Sequence, residues 1–305
     1  MHPNARSQSS DRQSAERQAP DRQSPADRSS TPTGAEKAFE QASDPGPAES
    51  VSAESVGVPD PRTAAIVVPG RFNGPPGMGN GGYLAGLLAG RASGGTASGV
   101  TVTLRRAVPL DRPLALTRDA GTGVLTLHQG DGTIAEAVPV DAALPLPTPI
   151  DPVTPAEADE ASRSFAGFAA WNPYTECFVC GPGRAEGDGL RLFPGMLADR
   201  PDTNACVWTP HTSLVAPDAE QIGSEFVWAA LDCPGGWTGM DRDTALLLGR
   251  MTAHVYALPY PDEPCVVLGR RLGREGRKVR TATTLYDAEG RVAAHAEQVW
   301  IAPRV

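Results

Sequence analysis

The chain has 305 residues, 40% of them hydrophobic, and a formal net charge of -9. That is enough apolar material for a buried core and enough length for two domains of ordinary size. The acidic balance excludes general attraction to nucleic acid or anionic lipid, which are bound through excess Lys and Arg, and no stretch approaches the roughly 18 to 20 apolar residues of a membrane span.

Residues 1–56 are built from Ser, Gln, Pro, Ala, Asp, Glu and Arg, with only Phe39 large enough to bury much surface. Burial cannot offset the entropy of ordering such a segment, so a disordered tail is expected and no function is assigned to it. Its opening residues, His2, Arg6, Asp11, Arg12, Glu16 and Arg17, lack the apolar run of a secretory signal. The five cysteines, Cys177, Cys180, Cys206, Cys233 and Cys265, are odd in number and scattered, unlike a disulfide framework. A cytoplasmic protein with a small-molecule partner is the expectation, with neither nucleic acid nor membrane as partner.

A first folded part is expected over 57–140. Within it Gly79-Asn80-Gly81-Gly82 runs into the apolar stretch Tyr83 to Ala89, which reads as a buried helix. The alternation Val100-Thr101-Val102-Thr103-Leu104 then reads as a strand with one buried face. Residues 141–170 hold Pro145, Pro147, Pro149, Pro152 and Pro155 ahead of Glu157, Asp159 and Glu160. Prolines at that density oppose regular pairing, which predicts a semi-extended linker. The second folded part, 171–305, repeats the first. Gly223-Ser224-Glu225 runs into the apolar stretch Phe226 to Leu231 and then Asp232. The turn Ala107 to Pro113 matches Ala257 to Pro264, and Thr126-Leu127 with Asp131-Gly132 matches Thr284-Leu285 with Glu289-Gly290. Each acidic-Gly pair signals a hairpin between antiparallel strands.

A helix opened by a Gly-rich turn and followed by a long antiparallel sheet resembles the hotdog fold of acyl-CoA thioesterases. The fold class expected is therefore α+β, a tandem (double) hotdog in which each half is a long helix wrapped by an antiparallel sheet. In one branch of that family the helix opens on His-Gly-Gly, followed after six residues by a catalytic Asp. Asn80-Gly81-Gly82 keeps the glycines with Asn in place of His, and Ala89 stands where the acid belongs. Gly223-Ser224-Glu225 lacks the glycines, but Asp232 stands at the acid's position. Hotdog dimers assemble each site from the helix opening of one subunit and the acid of the other. Two fused halves that each keep one component imply a single composite site. Cys177 to Pro182 and Trp228 to Gly236 also resemble thioesterase-like proteins of high-GC bacteria, a similarity that spans nearly all of 57–305.

The resemblance implies hydrolysis of an acyl-CoA or acyl-carrier-protein thioester, with Asp232 as general base or nucleophile and Gly81 and Gly82 as oxyanion donors. Free N–H groups at a helix start stabilise developing negative charge, and glycine admits a close carbonyl. The Asn80 amide is a further donor and Glu225 a reserve acid. The same glycines also suit tight packing, Asp232 also suits a hydrogen-bond acceptor for a turn from Cys233 to Trp237, and Glu225 also suits plain helix capping. Asp232 is expected in the last turn of a helix that Pro234 ends, at the unfavourable end of the dipole. Gly77 to Gly82 satisfies G-x-G-x-x-G, but Pro75-Pro76 precedes it and no acid follows until Asp111, which argues against a dinucleotide site.

Substrate contact is assigned to Tyr83, Trp228, Arg277 and Lys278. The last two belong to a basic cluster, Arg270 to Arg280, that suits coenzyme A phosphates or a charged sheet edge. No cofactor and no metal are expected. Cys177-x-x-Cys180-Gly181 is half of a zinc knuckle, or a redox pair, or a turn with buried thiols; Cys206, His211 and Cys233 join it only if folding brings them there. The alternatives to hydrolysis are a non-catalytic acyl-thioester binding protein and an enoyl-thioester hydratase or dehydratase, although nothing matches the hydratases' Gly-Asp-x-Asn-Pro-x-His signature. Pairing of two chains into a homodimer is left open.

Overall fold

The computed structural model describes residues 65–92, 99–140 and 148–304. The tail expected to be disordered lies outside the described residues, as do residues 141–147 of the expected linker.

In chain order the elements are α1 (Gly81–Ala92), β1 (Val100–Leu104), β2 (Ala115–Arg118), β3 (Leu125–Gln129), β4 (Gly132–Pro139) and α2 (Pro155–Ser162). They continue with β5 (Gly195–Leu197), β6 (Arg200–Trp208), α3 (Ser224–Trp237), β7 (Leu247–Val255), β8 (Cys265–Glu275), β9 (Lys278–Tyr286) and β10 (Val292–Ile301). All ten strands join one sheet in the order β2-β3-β4-β1-β7-β10-β9-β8-β6-β5. Every neighbouring pair is antiparallel. The class is α+β.

The sheet carries an internal repeat. The order β2-β3-β4-β1 recurs as β8-β9-β10-β7, and each set follows its own helix, α1 or α3. The two sets meet where β1 pairs with β7, from Val100 opposite Ala253 to Thr103 opposite Arg250. Across this seam Val100 and Val102 point into the core while the Thr101 and Thr252 hydroxyls meet at 2.8 Å. The proline-bounded turns recur too: Asp111 and Asp262 both adopt a left-handed backbone, φ 55° and 64°, which Asp tolerates better than most residues. The first hairpin turn sits one residue earlier than the acidic-Gly pair suggests, on Gly130-Asp131 with Gly130 left-handed, while the second places Gly290 left-handed.

Two expectations are corrected. Part of the stretch read as a semi-extended linker is helical. Thr154 and Glu157 form a reciprocal capping box and Pro155 occupies the first turn, where a missing N–H costs nothing. Ile150, Ala158 and Ala161 are buried with Leu197, Ala205 and Leu268, so α2 packs on the second sheet half. Pro234 does not end α3, which runs on to Trp237. Sheet side chains satisfy the carbonyls around it: Asn204 Nδ2 donates to Pro234 O and Gln298 Nε2 to Leu231 O, both at 2.8 Å. Every residue from Phe226 to Trp237 is buried, as expected of a helix apolar on all faces. None of the described helices is long and apolar enough to cross a membrane.

Candidate active site

Glycine on α1 sets how the two long helices meet. A Cβ on Gly82 would lie 2.5 Å from Asp232 Cβ and 2.8 Å from Trp228 O, and one on Gly86 would lie 2.5 Å from Glu225 Cα. The helices therefore touch backbone to backbone and run antiparallel, the start of α1 beside the later part of α3. Gly82 is tightly packed against the sister helix. Gly81, one residue earlier, abuts Leu104 and Leu248 of the sheet.

That crossing brings Asp232 to the start of α1. Asn80 caps the helix, its Oδ1 accepting from Tyr83 N at 2.8 Å. Its Nδ2 donates to Asp232 Oδ2 at 3.0 Å, and Gly82 N donates to the same oxygen at 3.0 Å. Asp232 is 2% exposed, and its Oδ1 has no hydrogen-bond partner. Burial pushes its carboxyl up to about 7, against the lowering effect of the Gly82 N–H, with Cys177 adding to the rise and the Asn80 amide opposing it. Asp232 is not a turn acceptor: α3 continues through Cys233 to Trp237, so no turn exists there and the dipole argument for an exposed helix end does not apply.

Asp232, Asn80 and Gly81 line a cavity of about 320 Å³. Its walls are mostly apolar, with Leu104, Val108, Leu246, Leu248 and Trp300 among them, and the exposed Arg105 and Arg106 also line it. Arg105 is paired with Glu136 at 2.6 Å. Among the described residues no acceptor takes the Gly81 N–H.

Other expected site residues lie elsewhere. The Gly82 N–H, expected as an oxyanion donor, is spent on Asp232, and so is one Asn80 amide N–H. Glu225 sits in the first turn of α3 beside Gly86, about two turns before Asp232, and does not line the cavity. Tyr83 turns away from it and stacks on Phe72 at 4.0 Å, within a cluster holding Phe178 and Phe226. Trp228 is buried under Gly82 and Gly86. Arg277 and Lys278 are exposed at the β8–β9 hairpin, where Arg277 donates to Ala302 O at 2.9 Å. In the rest of that basic cluster Arg271 pairs with Asp202 and Arg280 with Glu297, the pattern of a charged sheet edge.

Sequence reasoning passed over Arg105 and Arg106, whose only signal is their place just after the β1 alternation. Of the three residues named as joining Cys177 and Cys180 only through folding, one does so. Cys177 and Cys180 are joined by Cys233 from α3, and the three sulfurs lie within 4.8 Å of one another. Trp237 Nε1 donates to Cys180 Sγ at 3.3 Å. Neither Cys206 nor His211 reaches this group. Hydrogen bonding from Cys180 and Cys233 holds Cys177 well below the usual thiol range, while Cys177 pushes both partners above it.

No family model matches the chain, and no curated protein matches it in sequence. Solved structures do match. A candidate thioesterase from Novosphingobium aromaticivorans is similar with a TM-score of 0.53 at 14% identity, over 80% of this chain and 97% of that one. A candidate thioesterase II from Thermobifida fusca gives 0.49 at 17% identity over 80% and 96%. A protein of unknown function with a hot dog fold from Alicyclobacillus acidocaldarius gives 0.49 at 13% identity over 75% and 89%. The likeness is one of fold, shared with the N. aromaticivorans protein.

Proposed function

We propose that this chain is a tandem hotdog thioester hydrolase, its halves 57–140 and 171–305 sharing one composite site for an acyl-CoA or acyl-carrier-protein thioester. One observation carries the reading. Asp232 of the second half is held through Oδ2 by Asn80 and Gly82 of the first, its Oδ1 is buried without a partner, and the residue lines the cavity. The recurring strand order supports the tandem arrangement. The thioesterase name of the structural neighbour from N. aromaticivorans agrees with the chemistry. Both components come from one chain, so the site needs no second copy.

In this reading Oδ1 of Asp232 holds a water and takes its proton as the oxygen attacks the thioester carbonyl carbon. Charge developing on the carbonyl oxygen is met by the Gly81 N–H at the positive end of α1. The tetrahedral species then collapses, the C–S bond breaks, and the departing sulfur takes the proton from Asp232. Coenzyme A phosphates meet Arg105 and Arg106 at the cavity rather than Arg277 and Lys278. The counterpart site is absent because the opening of α3 faces the stretch of α1 where Ala89 replaces an acid; a Cβ on Gly90 would lie 4.0 Å from Ser224 Oγ.

Thiol release from a panel of acyl-CoAs by wild type and Asp232→Asn tests this. The variant is expected to lose about 10²- to 10⁴-fold in kcat; equal rates remove Asp232 from the mechanism. A second reading, non-catalytic acyl-thioester binding, is favoured by the commitment of the Gly82 N–H to Asp232, which leaves one backbone donor where two were expected. Tight acyl-CoA binding without turnover in the wild type selects it.

A further inference from the structure

We propose that Cys177, Cys180 and Cys233 form a zinc site with three protein thiolates and a fourth position open to the cavity. Zn–S bonds of about 2.3 Å in a tetrahedron place two sulfurs about 3.8 Å apart. Cys177 Sγ and Cys233 Sγ stand 3.8 Å apart, and Cys180 Sγ completes a triangle with no edge above 4.8 Å.

The surroundings suit thiolates better than packed thiols. The Trp237 indole donates to Cys180 Sγ at 3.3 Å. Buried thiols acting as small hydrophobes have little use for such a donor, whereas three negative sulfurs around a dication leave one net negative charge that it would stabilise. The turn is built for close approach: Gly181 N donates to Cys177 O at 2.9 Å, and a Cβ on Gly181 would lie 2.5 Å from both Cys177 O and Thr175 O.

All three cysteines line the cavity, so the remaining vertex points to solvent or to a small molecule held there. Asp232 is next to Cys233 in the chain but is not part of the sulfur set. No further His, Cys, Asp or Glu among the described residues joins the three, so the fourth ligand is an exchangeable one, water or an incoming thiol, as in zinc centres that keep an open position. Binding releases the thiol protons to solvent.

Anaerobic titration of the reduced, metal-free full chain with Co²⁺, a spectroscopic stand-in for Zn²⁺, tests the site without reference to hydrolysis. The expected result is one equivalent per chain, thiolate-to-cobalt charge transfer of three-thiolate intensity, tetrahedral d–d bands, and displacement by Zn²⁺. Added 2-mercaptoethanol shifts the d–d bands if the fourth position is open, and unchanged bands overturn that part. Cys233→Ser weakens binding by at least about 100-fold, because losing a ligand exceeds the 10–100-fold typical of outer contacts; Cys206→Ser leaves it unchanged. A folded wild type that gives no charge transfer, and whose thiols react with a thiol reagent equally fast with and without Zn²⁺, overturns the site.

Discussion

The proposed composite site depends on α1 lying against α3, and two glycines of α1 test that contact as a matched pair. Gly86→Ala would set a methyl carbon 2.5 Å from Glu225 Cα and 2.9 Å from Trp228 Cβ. Carbon atoms pack at about 3.5–4.0 Å, so the helices must part by roughly 1 Å or the backbone must bend. Overpacking of that kind costs about 1–3 kcal/mol, offset in part by the roughly 1 kcal/mol that alanine gains over glycine in a helix. Gly90→Ala meets only Ser224 Oγ, at 4.0 Å, on an exposed position, so the helix gain stands alone. The difference between the variants isolates the interhelical term, about 2 kcal/mol, or roughly 4–8 °C in Tm for a fold of this size. Urea unfolding followed by far-UV circular dichroism, together with thermal melts, reads it. If both variants gain stability equally, α1 and α3 are not in backbone contact and the shared site fails with them.

Asn80→Ala removes both the helix cap and one donor to Asp232, so it should cost about 2 kcal/mol in urea unfolding and lower hydrolysis as well. Retained stability and rate would show that Asn80 supports neither. Arg106→Ala should raise KM for an acyl-CoA roughly fivefold, about 1 kcal/mol, while leaving KM for an N-acetylcysteamine thioester of the same acyl group unchanged. Equal shifts for both substrates would place the phosphates elsewhere. Thr154→Ala breaks the capping box of α2 and should cost about 1 kcal/mol without altering kcat; a neutral substitution would mean α2 adds little to the second half.

The repeat was legible because its punctuation is chemical: Gly-rich openings, proline-bounded turns and acidic-Gly pairs recur with fixed partners. The contact between Asp232 and the start of α1 was suggested by family resemblance, since no local pattern relates residues 150 positions apart in the chain. Local rules erred where tertiary packing decides. Pro234 reads as a stop, yet the helix runs on to Trp237, buried against the sheet, where Asn204 donates to Pro234 O and Gln298 to Leu231 O. Helix α2 was overlooked because five prolines outweighed Thr154-x-x-Glu157, although Pro155 at a helix start favours the helix. Tyr83 and Trp228 read as pocket residues because large side chains near a helix mouth suit a pocket wall; which way each helix faces is settled only by its partner. The third thiol was invisible to spacing, because Cys233 reaches Cys177 through the fold across 56 positions of chain.

The β1–β7 seam has a consequence for how such a protein changes over time. In a symmetric dimer of identical subunits every substitution appears twice, once on each side of the axis, so one pocket cannot be altered while its twin is spared. Here the seam lies inside a single chain, and each helix mutates alone. An acid can be lost from α1 and kept on α3, and glycines can be lost from α3 and kept on α1. On the proposed composite site this gives one working pocket per polypeptide: ligand titrations should then saturate at a single equivalent and follow a simple hyperbola.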